Sequence, residues 1–313
     1  MLNLLLKRLI SSVVLVILIP GITYFIQGLL PGSAASAILG VHATKEQLAA
    51  LNKQLGLDEP IIVRYGNWLL GFLHGDLGNS LINGEPVTQI LGSRLAVSLS
   101  LVIGSILVLT LVGVILGIIA SVGGRVWGPI VDAVSTAGLA IPNFWFGVIL
   151  VGFFAVQLAV LPATGYVTFA SDPGGWILSL ILPVAALAFS GTTVVAKQTR
   201  EQMVLALDSP YARSLRANGV PQRSLIFRHA LRNASGPVVT VIGLVFVGAL
   251  SGTVLVENIF VLPGLGSEAI IAATGRDFPV IQGIAVYFTL IVVVVNVVID
   301  IANGILNPKV RAS

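Results

Sequence analysis

Six stretches of the chain run for more than twenty residues without Asp, Glu, Lys or Arg: 9–44, 95–124, 133–171, 173–196, 233–256 and 278–299. Each holds the roughly 20 apolar residues that a helix needs to cross a bilayer core. The pattern predicts an all-α fold with spans near 9–29, 96–120, 133–159, 177–197, 236–256 and 279–302. An even number of spans returns both termini to one side. Pro142 and Pro183 fall inside apolar spans, where proline frees a carbonyl and kinks a helix. Gly113–Gly117 and Gly248–Gly252 have the i, i+4 spacing that lets helices approach closely.

Between spans the pattern changes. In the long segment 31–94, Thr44 and Gln47 form a capping-box pair ahead of Leu48 and Leu51, and Gly56 supplies the stop. A second helix is expected from Pro60 to His74. Ile61, Tyr65, Trp68, Leu69 and Phe72 share one face of it, as suits a helix at the membrane interface. The segment 198–235 is patterned too. Ser209 suits an N-cap and Pro210 the first helical position. Gly219 sits where a left-handed terminal residue is wanted. Pro221 restarts the chain, and Leu225, Ile226, Phe227, Ala230 and Leu231 precede Gly236-Pro237 and the next span. The first of these helices is too short to stand alone in water, so it calls for a docking surface.

Charge orients the whole. The chain is 56% hydrophobic and 10% charged over 313 residues, with net charge +4. That composition excludes a soluble domain of this size and a nucleic-acid-binding surface. With termini inside, one face carries Lys7, Arg8, Arg125, the seven basic residues from Lys197 to Arg232, Lys309 and Arg311. The other carries Lys45, Lys53, Arg64, Arg94 and Arg276. The bias puts the termini and 198–235 in the cytoplasm. Lys7-Arg8, the apolar run and "SAASA" at 33–37 imitate a signal peptide, but Leu9–Leu30 is longer than a signal core and is taken as a span. With no cysteine there is no disulfide or thiolate site. His42 and His74 fall on the outer side and His229 on the inner, so the histidines form no common metal site, and no metal is expected.

"YARSLRANGVPQRSLIFRHALRNASGPVVTVIG" at 211–243 resembles the cytoplasmic loop of ABC importer permeases, the EAA region. More narrowly it is similar to the B-type subunit of the dipeptide/oligopeptide (peptide/nickel) transporter family. "LGLDEPIIVRYGNWL" at 55–69, "HGDLGNS" at 74–80, "VENIFVLPGLG" at 256–266, "RDFPVIQG" at 276–283 and "LNPKVR" at 306–311 extend the resemblance along nearly the whole chain. It departs at Arg213-Ser214-Leu215, where the motif is named for Glu-Ala-Ala, and at Asn218 and Asn307.

The resemblance implies a type I ABC importer permease fold and a single transmembrane permease domain over 1–313. The chain would form half of a translocation pathway with a sister permease, as a heterodimer. Two cytoplasmic ATP-binding subunits and an extracytoplasmic substrate-binding protein would complete the importer. The first short helix would be the coupling helix, with Tyr211, Arg213, Leu215, Arg216, Ala217 and Gly219 at the ATPase joint. The cargo implied is peptide; the alternatives are a nickel chelate or another small solute. The residues themselves add one constraint. No Gly-Lys pair occurs, so no P-loop exists here; no cofactor is expected in this chain, and ATP and Mg belong to partner subunits. No catalytic role is expected. An ion-driven carrier would keep ionisable groups at mid-membrane, whereas Asp132 and Asp300 lie at span ends. An intramembrane enzyme would cluster His, Asp or Glu, and no such cluster is patterned.

Overall fold

The structure, a computed structural model, describes residues 2–29, 34–40 and 43–306. The start of "SAASA", His42 and all but the first residue of "LNPKVR" lie outside them. The elements are α1 (Leu2–Leu29), α2 (Ala34–Leu39), α3 (Lys45–Gln54), α4 (Ile61–Leu73), α5 (Val87–Val122), α6 (Gly124–Ala140), α7 (Asn143–Gln157), α8 (Pro173–Asp208), α9 (Pro210–Ala217), α10 (Gln222–Ile259), α11 (Leu265–Gly275) and α12 (Phe278–Leu306). Beyond helix, the described residues add one isolated bridge between Asn79 and Pro86. Among the described residues, five helices are long and apolar enough to span a membrane, and six if the bent pair α6–α7 is counted as one span. Leu107, Leu111 and Leu244 stay exposed on them, as lipid-facing side chains do.

The chain forms two compact units, Met1–Ser98 with Pro263–Val294, and Leu99–Leu262 with Val295–Ser313. In the first, α3 starts with both bonds of a capping box. Gln47 N donates to Thr44 Oγ1 (3.2 Å) and Thr44 N to Gln47 Oε1 (2.9 Å). Gly56 then takes φ +65. Helix α4 does not lie unpartnered. Tyr65 donates to Ile17 O of α1 at 2.6 Å, and Ile61 lies over Gly28, where a Cβ would come within 2.3 Å of its Cδ1. Trp68 stacks between Tyr65 and Phe72. Trp68 and Phe72 also pack on a core of Leu77, Val87, Leu91, Leu265, Val280 and Ile284.

The loop before α5 is held by polar groups. Asp277, 3% exposed, accepts from the Ser80 hydroxyl and from Leu81 N (3.1 Å). Ser80 Oγ in turn accepts from Ile82 N and Asn83 N. Arg94 on α5 pairs with Glu268 on α11 at 2.7 Å, and Leu265 N donates to Ser98 Oγ at 2.8 Å.

In the second unit α8 is the central helix, with Leu187, Val195 and Met203 buried. Without a hydrophobic drive between helices in lipid, close approach through small residues does the packing. A Cβ on Gly113 would sit 2.9 Å from Val195 Cβ, on Gly117 2.5 Å from Thr199 Cβ, and on Gly138 2.5 Å from Thr193 Cγ2. The second small-residue pair divides: Gly252 meets Leu187, while Gly248 meets nothing within 4 Å.

Two expectations need correction. The span expected at 133–159 is not one helix: α6 and α7 meet at 97°. Ile141 and Pro142 are both extended there, because proline lacks the helical N–H and disfavours helix at the residue before it. Conversely, α10 runs unbroken from Gln222 through Gly236-Pro237 to Ile259. Burial of Ala234 and Val238 on either side overrides the local cost of proline.

Candidate functional site

The patterned loop after α8 folds as a joint. Ser209 closes both helices that meet at it. Its hydroxyl donates to Ala206 O in the last turn of α8 (2.7 Å) and accepts from Ala212 N in the first turn of α9 (3.2 Å). Proline at the first position of α9 needs no donor. At the other end Gly219 takes φ +74. Gly219 N then donates to Arg216 O (3.0 Å) and Val220 N to Leu215 O (3.1 Å). These two bonds are a Schellman motif, and they require the left-handed residue that glycine supplies without a Cβ penalty. So α9 has satisfied backbone groups at both ends.

Its inward face explains how so short a helix persists. Ala212, 2% exposed, lies in a cluster with Met203 and Leu207 of α8 and Leu225, Ile226, Ala230 and Ala234 of α10. Leu215, one turn on, packs half-buried against the same cluster. Fully burying such a leucine side chain stabilises by about 1.5–3 kcal/mol, and half-burial by less. A polar tie joins them: Tyr211 Oη lies 2.9 Å from His229 Nδ1, with the two rings in edge contact.

The outward face carries Arg213, Arg216 and Ala217, all exposed. They stand at i, i+3 and i+4, so they share one side of the helix. Of the six residues expected at the joint, the structure thus gathers three on one free face. Tyr211 is 51% exposed but tied sideways to α10. Gly219 serves the backbone, and Leu215 anchors α9 to its own chain. An acid at Leu215 would therefore loosen the helix itself as well as any outside contact.

Three features of the joint were not foreseen. Ala212 is its best-buried residue, and alanine carries no signal by type. His229 is the partner of Tyr211, 18 residues away across a glycine corner. The residues Leu225–Ala230 are π-helical, which adds a residue per turn and follows from no local motif. Nearby, Arg200 of α8 lies across α6. Its Nη1 donates to both Asp132 oxygens (3.0 and 2.8 Å), and it passes so close over Gly128 that a Cβ there would meet Nη2 at 2.6 Å. Asp132, noted as an acid at a span end, is thereby neutralised in place.

Comparison with known proteins places this architecture. Residues 113–312 match the family described as binding-protein-dependent transport system inner membrane component. Residues 1–102 match the N-terminal component of the same kind of system. A putative peptide transport system permease protein of Brucella abortus is 37% identical over 98% of both chains. A glutathione transport system permease protein of Salmonella typhimurium is 34% identical over 99% of both. Among solved structures, an amino acid ABC transporter with histidines shares the fold at a TM-score of 0.53 and 16% identity, over 69% of this chain and 94% of that one. With its apolar helices, and with both halves of the chain matched, the protein belongs to the binding-protein-dependent transport system inner membrane components and is a multi-pass permease of that family.

Proposed function

We propose that this chain is the peptide-carrying permease subunit of an ATP-powered importer and that α9 is its coupling helix. Both termini and α9 face the cytoplasm. A sister permease completes the pathway, two ATP-binding subunits supply ATP and Mg, and an extracytoplasmic binding protein delivers cargo. One observation carries the reading. Helix α9 is capped at both ends and anchored inward by Ala212 and Leu215, so Arg213, Arg216 and Ala217 form a rigid face with no role in the chain's own core. A force applied to that face passes to α8 and α10 at once, since both contribute to the cluster beneath it. Peptide cargo is supported by the relatives, whose names specify peptide and glutathione.

The absence of cysteine makes the test clean. Ala217→Cys is the sole thiol in its variant. It should cross-link to a single cysteine on the co-purified ATPase subunit and resist membrane-impermeant maleimide in intact cells, while Asn83→Cys is labelled. Arg213→Glu with Arg216→Glu should abolish peptide-stimulated ATPase activity at unchanged melting temperature. Full stimulation in that double variant, or external labelling of Ala217→Cys, would overturn the reading.

A further inference from the structure

Two helices lie beneath α9 and share its cluster, and they are wound differently. Helix α8 is α-helical throughout, from Pro173 to Asp208. Helix α10 is π-helical over Leu225–Ala230, and Leu231 N–H donates to Ile226 O, five residues back. The buried side chains mark the same register. Leu225 and Ala230 are both buried, in one cluster with Ala212 of α9 and Met203 of α8. Five residues apart, they would point about 140° away from each other on an ordinary helix. Ile226, Ala230, Ala234 and Val238, at four-residue spacing, are buried too. One residue is therefore surplus, and it is taken up on the outer side, where Phe227 and Arg228 are exposed.

Two windings compete at this place. The π turn keeps Leu225 in the cluster but stretches the backbone pairing to five residues, an arrangement that is rare and concentrated at functional sites. The α winding restores four-residue pairing. It also turns Gln222–Leu225 by one residue's worth, roughly 100°, and takes Leu225 out of the cluster. Ile226, four residues before Ala230, faces the cluster under either winding. A short link makes the turn consequential. Residues 218–221 alone join α9 to α10, and Gly219 among them holds φ +74. A turn at the start of α10 is thus passed directly to α9.

We propose that the π turn at Leu225–Ala230 is a register switch in the coupling stroke. One state is the π winding with Leu225 buried. In the other, a pull on α9 rewinds the segment to α, turns Gln222–Leu225 and brings Leu225 out. Helix α10 then yields while α8 moves as a rod. The inference rests on α9 as the coupling helix, and adds to that reading where the stroke is absorbed.

The assembled importer in lipid nanodiscs provides the test. Deleting Phe227 puts Leu225 four residues from Ala230, so the segment winds as α with its buried contacts kept. The melting temperature should hold or rise. The Ala217→Cys cross-link to the ATPase subunit should form as it does in the undeleted chain, with α9 still docked. Peptide-stimulated ATPase activity should nevertheless fall by at least about tenfold. Phe227→Ala, which keeps the length, should retain stimulation. A second measurement needs no deletion. Leu225→Cys is a sole thiol, since the chain has no cysteine. Maleimide should reach it at least about tenfold faster with ATP and vanadate trapped than without nucleotide. Full stimulation in the deletion, a cross-link lost only there, loss of stimulation in Phe227→Ala, or equal labelling of Leu225→Cys in the two nucleotide states would overturn the proposal. A cross-link missing in the undeleted chain as well would bring down the coupling reading itself.

Discussion

The α9 joint and the Asp277 lock both hold a loop against helices, and they do so with opposite chemistry. At α9 the holding groups are local: Ser209 bonds Ala212, Gly219 bonds Arg216, and the charges point outward. At Asp277 the holding groups are buried and distant in sequence: Ser80 is 197 residues away, and Leu265 N reaches Ser98 across 167. The difference separates stability from signalling. A buried carboxylate that satisfies two donors cannot be removed without leaving those donors stranded. An exposed arginine on a capped helix can be removed at little cost to folding, so its identity is free to serve a partner.

The largest effect should therefore come from Asp277→Ala. It strands the Ser80 hydroxyl and Leu81 N in a buried setting, at about 2–4 kcal/mol in all. Thermal unfolding in detergent should show a clear loss, with Asp277→Asn recovering part of it. An unchanged melting temperature in Asp277→Ala would erase the contrast between the two regions. On the other side of the comparison, Ala212→Glu should cost about 2–3 kcal/mol locally. It drives a charge into the Met203–Leu225 cluster and frees α9. Limited proteolysis should then cut near Gly219 while the first unit stays intact, and equal protection of α9 in both proteins would count against the anchor.

A pH dependence sharpens the comparison further, because Glu268, beside Asp277, is a perturbed acid. Glu268, 8% exposed, has its carboxyl held above the ordinary range by burial. Arg94 pulls it back down and Asp277 pushes it up further. The folded state thus binds this proton more tightly than the unfolded chain does. The stabilisation is complete below the ordinary value near 4.5 and is lost as pH rises through the raised one. The difference in melting temperature between wild type and Glu268→Gln should shrink or change sign across that window, to the disadvantage of wild type as pH rises. A wild type that gains on the variant with rising pH would reverse the assigned cause.

How much of this the sequence discloses follows the same divide. Caps are legible because they satisfy donors within three or four residues. Thr44, Gln47, Ser209, Pro210 and Gly219 all take the places their types suggest. Long apolar runs are legible for the same reason, since a span needs no partner to be recognised by length. What the sequence conceals is pairing. Ser80 and Asp277 are ordinary loop residues until the fold brings them together. Gly113–Gly117 and Gly248–Gly252 share a spacing, yet a Cβ on Gly117 would run into Thr199, while one on Gly248 would meet no described atom of another element within 4 Å. Pro142 announces a bend, but not that it reaches 97°. Of the candidate site, helix α9 and its ends were legible. Which of its faces is free depends on α8 and α10, and Leu215 shows the consequence: a residue singled out for contact with a partner turns out to hold the helix down.

The smallest effect tests whether α9 moves with α10 or merely beside it. The Tyr211–His229 hydrogen bond is the one side-chain bond described between them. Half-exposed as it is, it should contribute no more than about 0.5–1 kcal/mol. Tyr211→Phe removes the hydroxyl and keeps the ring, so the fold and the edge contact with His229 persist. His229→Ala removes the partner. In a double-mutant cycle the two losses should overlap, because each deletes the same bond. Melting temperatures measured on the four proteins give the coupling directly. If the bond transmits motion, amide exchange in α9 should rise equally in both single variants and no further in the double. Strictly additive losses would mean that the cluster under Ala212 and Leu215 alone carries the joint. The bond would then only orient an exposed tyrosine.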